Sequence, residues 1–234
     1  MKVAVAASFF NWLSLSELGK RALFAGFDGI EADLPRDLGE LLELNCPPIT
    51  SIHLPSITTV RWLVLGCVLA RRIGSSIVVS HPTINPILLT ALYRIWESWG
   101  VCVTVENIPR VKMSRAEIRK IGINPNWIIP ETKVFANYGS VDATFDIGHA
   151  GLLGLSPKHV ITALGRRLKH VHIHDYLYVA EQDHLPIGSG EANFRTLFEY
   201  LHQVKYNGTV VLEAPATDLS QQAAIIKSLA KEAI

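Results

Sequence analysis

Short runs rich in Val, Ile and Thr alternate along the chain with longer stretches in which apolar residues recur at every third or fourth position. Strand-like runs followed repeatedly by helical periodicity are the mark of parallel β/α units. The runs predict strands over 2–7, 29–33, 50–54, 76–80, 101–106, 142–147, 170–174 and 209–213. Between them the spacing predicts helices over 16–25, 58–73, 84–99, 157–168, 194–204 and 219–233, with a shorter one over 36–44. After the fifth strand Gly122, Pro125 and Pro130 interrupt the pattern, so 114–140 is expected to be an irregular insertion or a lid. Eight strand–helix units predict an α/β fold, a single (β/α)8 TIM barrel occupying residues 1–234 as one domain.

Composition agrees with that architecture. Hydrophobic residues make up 49% of the chain and charged ones 18%, as suits strands covered on both faces. Lys and Arg number 22 against 21 Asp and Glu, and the net charge of +1 offers no broad field for a polyanion; the basic clusters at 112–120 and 166–170 read as solvated helix faces. The apolar N-terminal run reads as a strand, and no stretch approaches the roughly 18 unbroken apolar residues of a membrane span. Cys46, Cys67 and Cys102 lack paired spacing and read as buried thiols, which together predict a soluble protein of the reducing cytoplasm. A mean hydropathy of +0.25 leaves room for exposed apolar surface and a homo-oligomer. Trp62, Trp96 and Trp99 fall in helical patterns, while Trp12 lies just beyond strand one, where it could wall a small-molecule site.

The candidate chemistry lies where the apolar strands end. Strand two ends in Glu31 and Asp33, strand three in His53, strand four in His81 and strand five in Glu106-Asn107. Strand six ends in Asp146, with His149 three residues on; strand seven carries His172, His174 and Asp175; strand eight ends in Glu213. In a closed parallel barrel these ends share one rim, the face where barrel enzymes place their chemistry. Carboxylates and imidazoles converging there would carry uncompensated buried charge unless a cation neutralised them, so a divalent metal is expected. An oxygen-heavy set without thiolate suits Mn²⁺, Mg²⁺, Co²⁺ or Zn²⁺.

Eight motifs at successive strand ends carry a resemblance: G-F-D-G-I-E (26–31), S-I-H-L-P (51–55), V-V-S-H-P (78–82), V-E-N (105–107), F-D-I-G-H-A (145–150), H-I-H-D (172–175), H-L-P-I-G-S-G (184–190) and L-E-A-P (212–215). In this order they resemble the xylose-isomerase-like superfamily, which holds sugar and sugar-phosphate isomerases and epimerases, related dehydratases, and endonuclease IV. The resemblance implies that Glu106, Asp146, His172 and Glu213 hold one divalent metal. It further implies that Glu106 and Glu213 exchange a substrate proton and that His149 touches the substrate, with Glu31, His53, His81, His174 and His184 also candidates for substrate contact. The implied reaction is isomerisation or epimerisation of a sugar or related polyhydroxy carbonyl compound through an enediolate. The alternatives implied are a dehydratase, or a zinc-dependent nuclease of abasic DNA using positions corresponding to His53, His81, His149 and His184. Two departures qualify the likeness. The nuclease pattern places an Asp where this chain has Gln182, with Asp183 one position off, and the Arg that often precedes the last Gly-rich element in ketose epimerases is absent. Gly188-Ser189-Gly190 precedes a helix in a region where barrels often hold phosphate, but the pattern is too short to decide whether the substrate is phosphorylated.

Overall fold

The computed structural model describes residues 1–43, 46–107, 135, 138–139 and 141–233. Eight parallel strands close into a barrel in which each strand pairs with its sequence neighbours and the last returns to the first: β1 (Lys2–Ala6), β2 (Gly29–Asp33), β3 (Ile49–His53), β4 (Ile77–Ser80), β5 (Cys102–Glu106), β6 (Asp142–Asp146), β7 (Leu168–Ile173) and β10 (Thr209–Leu212). The antiparallel pair β8 (Asp175–Leu177) and β9 (Gln182–Leu185) projects from the end of β7. Around the barrel lie α1 (Leu15–Ala25), α2 (Leu38–Leu42), α3 (Val60–Ile73), α4 (Pro86–Ser98), α5 (Ile147–Leu152), α6 (Pro157–Leu164), α7 (Phe194–Gln203) and α8 (Leu219–Glu232). Among the described residues no helix is long and apolar enough to cross a membrane.

The helix boundaries follow local chemistry. Side-chain oxygens of Ser14, Thr59, Asn85, Asn193 and Asp218 accept otherwise unpaired backbone N–H groups at the starts of α1, α3, α4, α7 and α8. Gly26 and Gly74 end α1 and α3 in the left-handed conformation, with φ of 98° and 79°. Gly165, with φ of 52°, stops α6 at Leu164, short of the expected 168, and β7 therefore begins at Leu168. His170 is consequently a fully buried strand residue and not part of a solvated helix face. The hairpin β8–β9 and the short α5 have no counterpart in the periodicity reading. Apart from residues 135, 138 and 139, the expected insertion at 114–140 and the basic stretch at 112–120 lie outside the described residues.

Side-chain alternation divides the interior into two unlike compartments. Ile30, Ile52, Val103, Val105, Phe145, Val171 and Leu212 point outward into one large apolar cluster shared with helix residues such as Leu18, Leu63 and Leu197. The opposite parity points into the lumen, where Ala4, Ala6 and Val211 form only a small apolar cluster. Val79 has the same parity, and the other buried lumen positions include the polar residues Glu31, Ser51, Thr104, Thr144, His170 and His172. Thr104 and Thr144 satisfy each other through hydroxyls 2.6 Å apart. Glu106, Asp146 and Glu213 share this lumen parity at the strand ends, so the barrel's pleat aims them at one volume. Cys67 is buried, whereas Cys46 and Cys102 are partly exposed, short of the complete burial expected for them.

Candidate metal centre

Glu106, Asp146, His172 and Glu213 converge. Each offers one ligand-type atom, and all four atoms lie within 4.8 Å of one another. His172 Nδ1 stands 3.4 Å from Glu106 Oε1 and 3.2 Å from Glu213 Oε2. All four residues are buried, yet neither ring nitrogen of His172 makes a hydrogen bond. A neutral imidazole has one N–H, so its other nitrogen would set a lone pair against carboxylate lone pairs unless a proton or a cation lay between. Three carboxylates and one imidazole nitrogen in this spacing fit a divalent metal, with a donor set suited to Mn²⁺, Mg²⁺, Co²⁺ or Zn²⁺.

The electrostatics agree. Burial alone would raise the carboxyl pKa values, but His172 and hydrogen bonds from neighbouring imidazoles hold Glu106 well below its ordinary value, and His149 and His174 do the same for Asp146. The imidazoles shift the opposite way. Burial opposes a proton on His172, yet Glu213, Glu31 and Glu106 outweigh it and lift the pKa well above normal. His149 is lifted to about 9, Asp146 and Glu106 again overcoming burial. The carboxylates therefore draw protons onto the imidazoles, which supply the positive charge that a cation would otherwise bring.

Supporting residues fix the orientation of Asp146. Asn107 donates from Nδ2 to the Asp146 carbonyl at 2.9 Å and accepts the Asp146 N–H at 2.8 Å, locking the ends of β5 and β6 together. Asp146 Oδ1 caps α5 by accepting the His149 N–H at 2.7 Å. His174 Nδ1 lies 2.9 Å from the His184 N–H and 3.1 Å from the Asp175 carbonyl, and its Nε2 lies 3.1 Å from Asp146 Oδ2, a carboxylate oxygen to which an Nε2–H donates. Asn107 was legible in the sequence only as a polar residue beside Glu106; nothing in the strand pattern signals its clamp across to β6.

The other histidines surround this group. His53 Nε2 lies 3.3 Å and His81 Nε2 3.6 Å from Glu106 Oε2, and these three residues form a second set within 4.8 Å. Burial lowers the His81 pKa to about 4, so its imidazole is neutral near pH 7. His149 Nδ1 lies 3.3 Å from Glu106 Oε1 and 3.0 Å from the Asn107 carbonyl. His149, His174 and His184 form a further set, with Asp183 3.1 Å from His184 Nδ1 and 4.0 Å from His149 Nε2. His184 is partly exposed and stacks on Phe9 at 5.0 Å.

Three sequence expectations meet a different placement. Glu31 and His174, expected to reach substrate, are buried with their polar atoms facing other side chains: Glu31 Oε2 accepts from Ser51 Oγ at 2.7 Å and from His170 Nε2 at 2.9 Å, while His174 backs Asp146. Trp12, considered as a sugar-site wall, is 69% exposed and lines an outer groove of about 950 Å³ with Phe10 and Phe24, to which none of the four converging residues contributes. Phe9, which the sequence reading did not single out, holds the apolar position beside the histidines.

The segment around Gly188-Ser189-Gly190 is organised from within. Buried Asp175 accepts the N–H groups of Tyr176, Gly188, Gly190 and Ala192 at 2.8–3.0 Å, Ser189 donates to the Pro186 carbonyl and Glu191 to that of Tyr176. Every backbone donor from 188 to 192 is therefore engaged inside the protein, and the loop presents none of them to an anion.

Residues 58–231 match the xylose isomerase-like TIM barrel family. MJ1311, an uncharacterized protein of Methanocaldococcus jannaschii, is 28% identical over 176 residues, which cover 66% of this chain and 57% of that relative; the chain thus spans little more than half of its length. Among solved structures, a D-tagatose 3-epimerase-like protein matches with a TM-score of 0.70 at 21% identity, covering 100% of this chain and 98% of its own. L-ribulose 3-epimerase matches with a TM-score of 0.71 at 16% identity, covering 99% and 95%. At these identities the structural likeness is one of fold. The closed barrel together with a family match over most of its length establishes that the chain belongs to the xylose isomerase-like TIM barrel family.

Proposed function

We propose that this protein is a divalent-metal-dependent isomerase or epimerase acting on an unphosphorylated ketose or related polyhydroxy carbonyl compound. The observation that carries this reading is the convergence of Glu106, Asp146, His172 and Glu213 on one volume at the barrel mouth. A divalent cation held there would polarise a substrate carbonyl and a neighbouring hydroxyl, lowering the pKa of the C–H between them. In this reading Glu106 and Glu213, entering from different strands, remove the proton and return it, with an enediolate between the two transfers. In this reading His149, whose Nδ1 lies 3.0 Å from the Asn107 carbonyl, contacts the oxygen on which negative charge grows. In this reading His53, with 17% side-chain exposure, and His184, with 29%, contact hydroxyls, while His174 acts on Asp146. The names of the structural neighbours, a D-tagatose 3-epimerase-like protein and L-ribulose 3-epimerase, support a ketose.

Among the described residues, an unphosphorylated substrate is supported by the internally bonded loop at 188–192 and by Arg36, whose guanidinium donates to the carbonyls of Ala7, Phe10 and Leu13. The test is proton exchange in deuterated water, followed by NMR, on ketoses and ketose phosphates with metal-stripped and Mn²⁺-loaded protein. Exchange is expected only with metal and on the free ketose, falling by about 10²–10⁴-fold in Glu106→Gln and Glu213→Gln. Absence of exchange on every ketose by the loaded protein would refute the isomerase reading.

A second reading has its own support. The set His53, His81 and Glu106 adjoins the first set through Glu106, and Asp183 lies near His149 and His184, an arrangement able to hold more than one zinc. That fits hydrolysis of an abasic-site duplex, and two or three zincs per chain with incision of such a duplex would favour it. A dehydratase differs from the first reading in the fate of the enediolate, and loss of water from the substrate in the same NMR experiment would identify it.

A further inference from the structure

We propose that Glu31 and His170 are positioning residues that hold His172 with its Nε2–H turned into the barrel and its Nδ1 lone pair turned toward Glu106 and Glu213. The inference rests on the metal-centre reading above and concerns residues that do not themselves reach the centre.

Its basis is a column of buried polar groups directly beneath His172. Glu31 on β2 and His170 on β7 are at most 1% exposed. Ser51 Oγ donates to Glu31 Oε2 at 2.7 Å, and His170 Nε2 approaches the same oxygen at 2.9 Å. A carboxylate only accepts, so His170 carries its proton on Nε2. With Oε2 doubly engaged, Oε1 is left facing His172 Nε2 at 3.2 Å, off the line of a good hydrogen bond, and both atoms are buried without another partner. The His172 ring thus lies between one carboxylate below and the Glu106 and Glu213 carboxylates above.

Only one of the two tautomers satisfies both sides when a cation is present. Protonated at Nε2, the ring turns its N–H toward the Glu31 carboxylate 3.2 Å below and offers a lone pair upward; protonated at Nδ1, it would place a lone pair against Glu31 and a proton among the ligands. Metal-binding histidines commonly have the second nitrogen tied to a carboxylate, which sets both tautomer and ring angle. Here the carboxylate is itself oriented by Ser51 and His170, and β2, β3 and β7 are thereby joined across the lumen beneath the centre.

The test is calorimetric titration of the metal-stripped full chain with Mn²⁺, with circular dichroism and thermal melting to confirm the fold. Glu31→Gln and His170→Leu should each weaken Mn²⁺ binding by about 10–100-fold while the melting curve stays cooperative. His170→Gln, which retains an N–H donor, should recover most of the loss. Ser51→Ala removes a single donor in a small side chain and should weaken binding by a few-fold, which keeps the idea testable if a lumen variant fails to fold. In addition, nitrogen-15 spectra of the zinc-loaded protein should show His172 protonated at Nε2. Native affinity in both Glu31→Gln and His170→Leu, or a proton on Nδ1 in the loaded protein, would overturn the proposal while leaving the metal centre standing. If the native chain binds no divalent cation, the metal-centre reading falls and the proposal falls with it.

Discussion

In the proposed metal centre, His172 is a nitrogen for which a cation and a proton would compete. Burial disfavours its charged form, but Glu213, Glu31 and Glu106 hold its pKa well above the ordinary imidazole value, so the metal-free ring favours its protonated form. A cation must displace that proton. The sign follows directly: as pH rises, displacement becomes easier, and Mn²⁺ affinity should increase between pH 6 and 8, with protons released on binding. Titrations in buffers of different ionisation enthalpy measure both, and an affinity flat across that range would contradict the placement of the proton. At this scale the sequence revealed which residue types gather at the rim. It did not reveal that Glu31 and His174 stand behind the converging group, because a strand position fixes which face a side chain leaves from, not what it meets.

The junction of β6 and α5 shows the same distinction for elements. Asp146 ends the strand and caps the helix, and Gly148 lies directly against the His174 ring, where an added Cβ would come within 1.9 Å of Cε1. Gly148→Ala should therefore displace His174, deprive Asp146 of its partner, destabilise the protein by roughly 1–3 kcal/mol and weaken Mn²⁺ binding. Gly39→Ala in α2 is the contrasting case: nothing lies within 4 Å of its added Cβ, and it should raise stability by up to about 1 kcal/mol through helix propensity. Thermal melts of the two variants compare these effects, and equal shifts would show that His174 yields freely. Helix starts and stops are set locally, since Ser14, Thr59, Asn85, Gly26 and Gly74 act on their own neighbours, although the periodicity begins the third and fourth helices two residues early, at 58 and 84, with Thr59 and Asn85 inside them. The β8–β9 hairpin was not legible in the sequence, since it depends on Asp175 gathering N–H groups from as far along the chain as Ala192.

For the whole molecule, the barrel lumen forms a polar column from Thr104 and Thr144 up through Glu31, His170 and His172 to the buried carboxylates at the mouth, surrounded by the apolar shell between strands and helices. Such a lumen gains stability from neutralisation of its upper end. Mn²⁺ at about a thousand times its Kd should add about 4 kcal/mol, which corresponds to a rise in melting temperature on the order of 10 °C for a chain of this length. Asp146→Asn should abolish most of that rise, and a melt unaffected by saturating Mn²⁺ would contradict the coupling. What the sequence by itself determined was the succession of β/α units, the barrel that this succession closes into, and the common rim on which Glu106, Asp146, His172 and Glu213 lie, since periodicity and strand parity are properties of the local chain. Tertiary structure alone decided which polar groups touch that rim and which support it from below, and whether the Gly-rich loop keeps its N–H groups for an anion. Those outcomes depend on contacts between residues as distant as Glu31 and His170, whose partners are chosen by closure of the barrel and not by any neighbouring sequence.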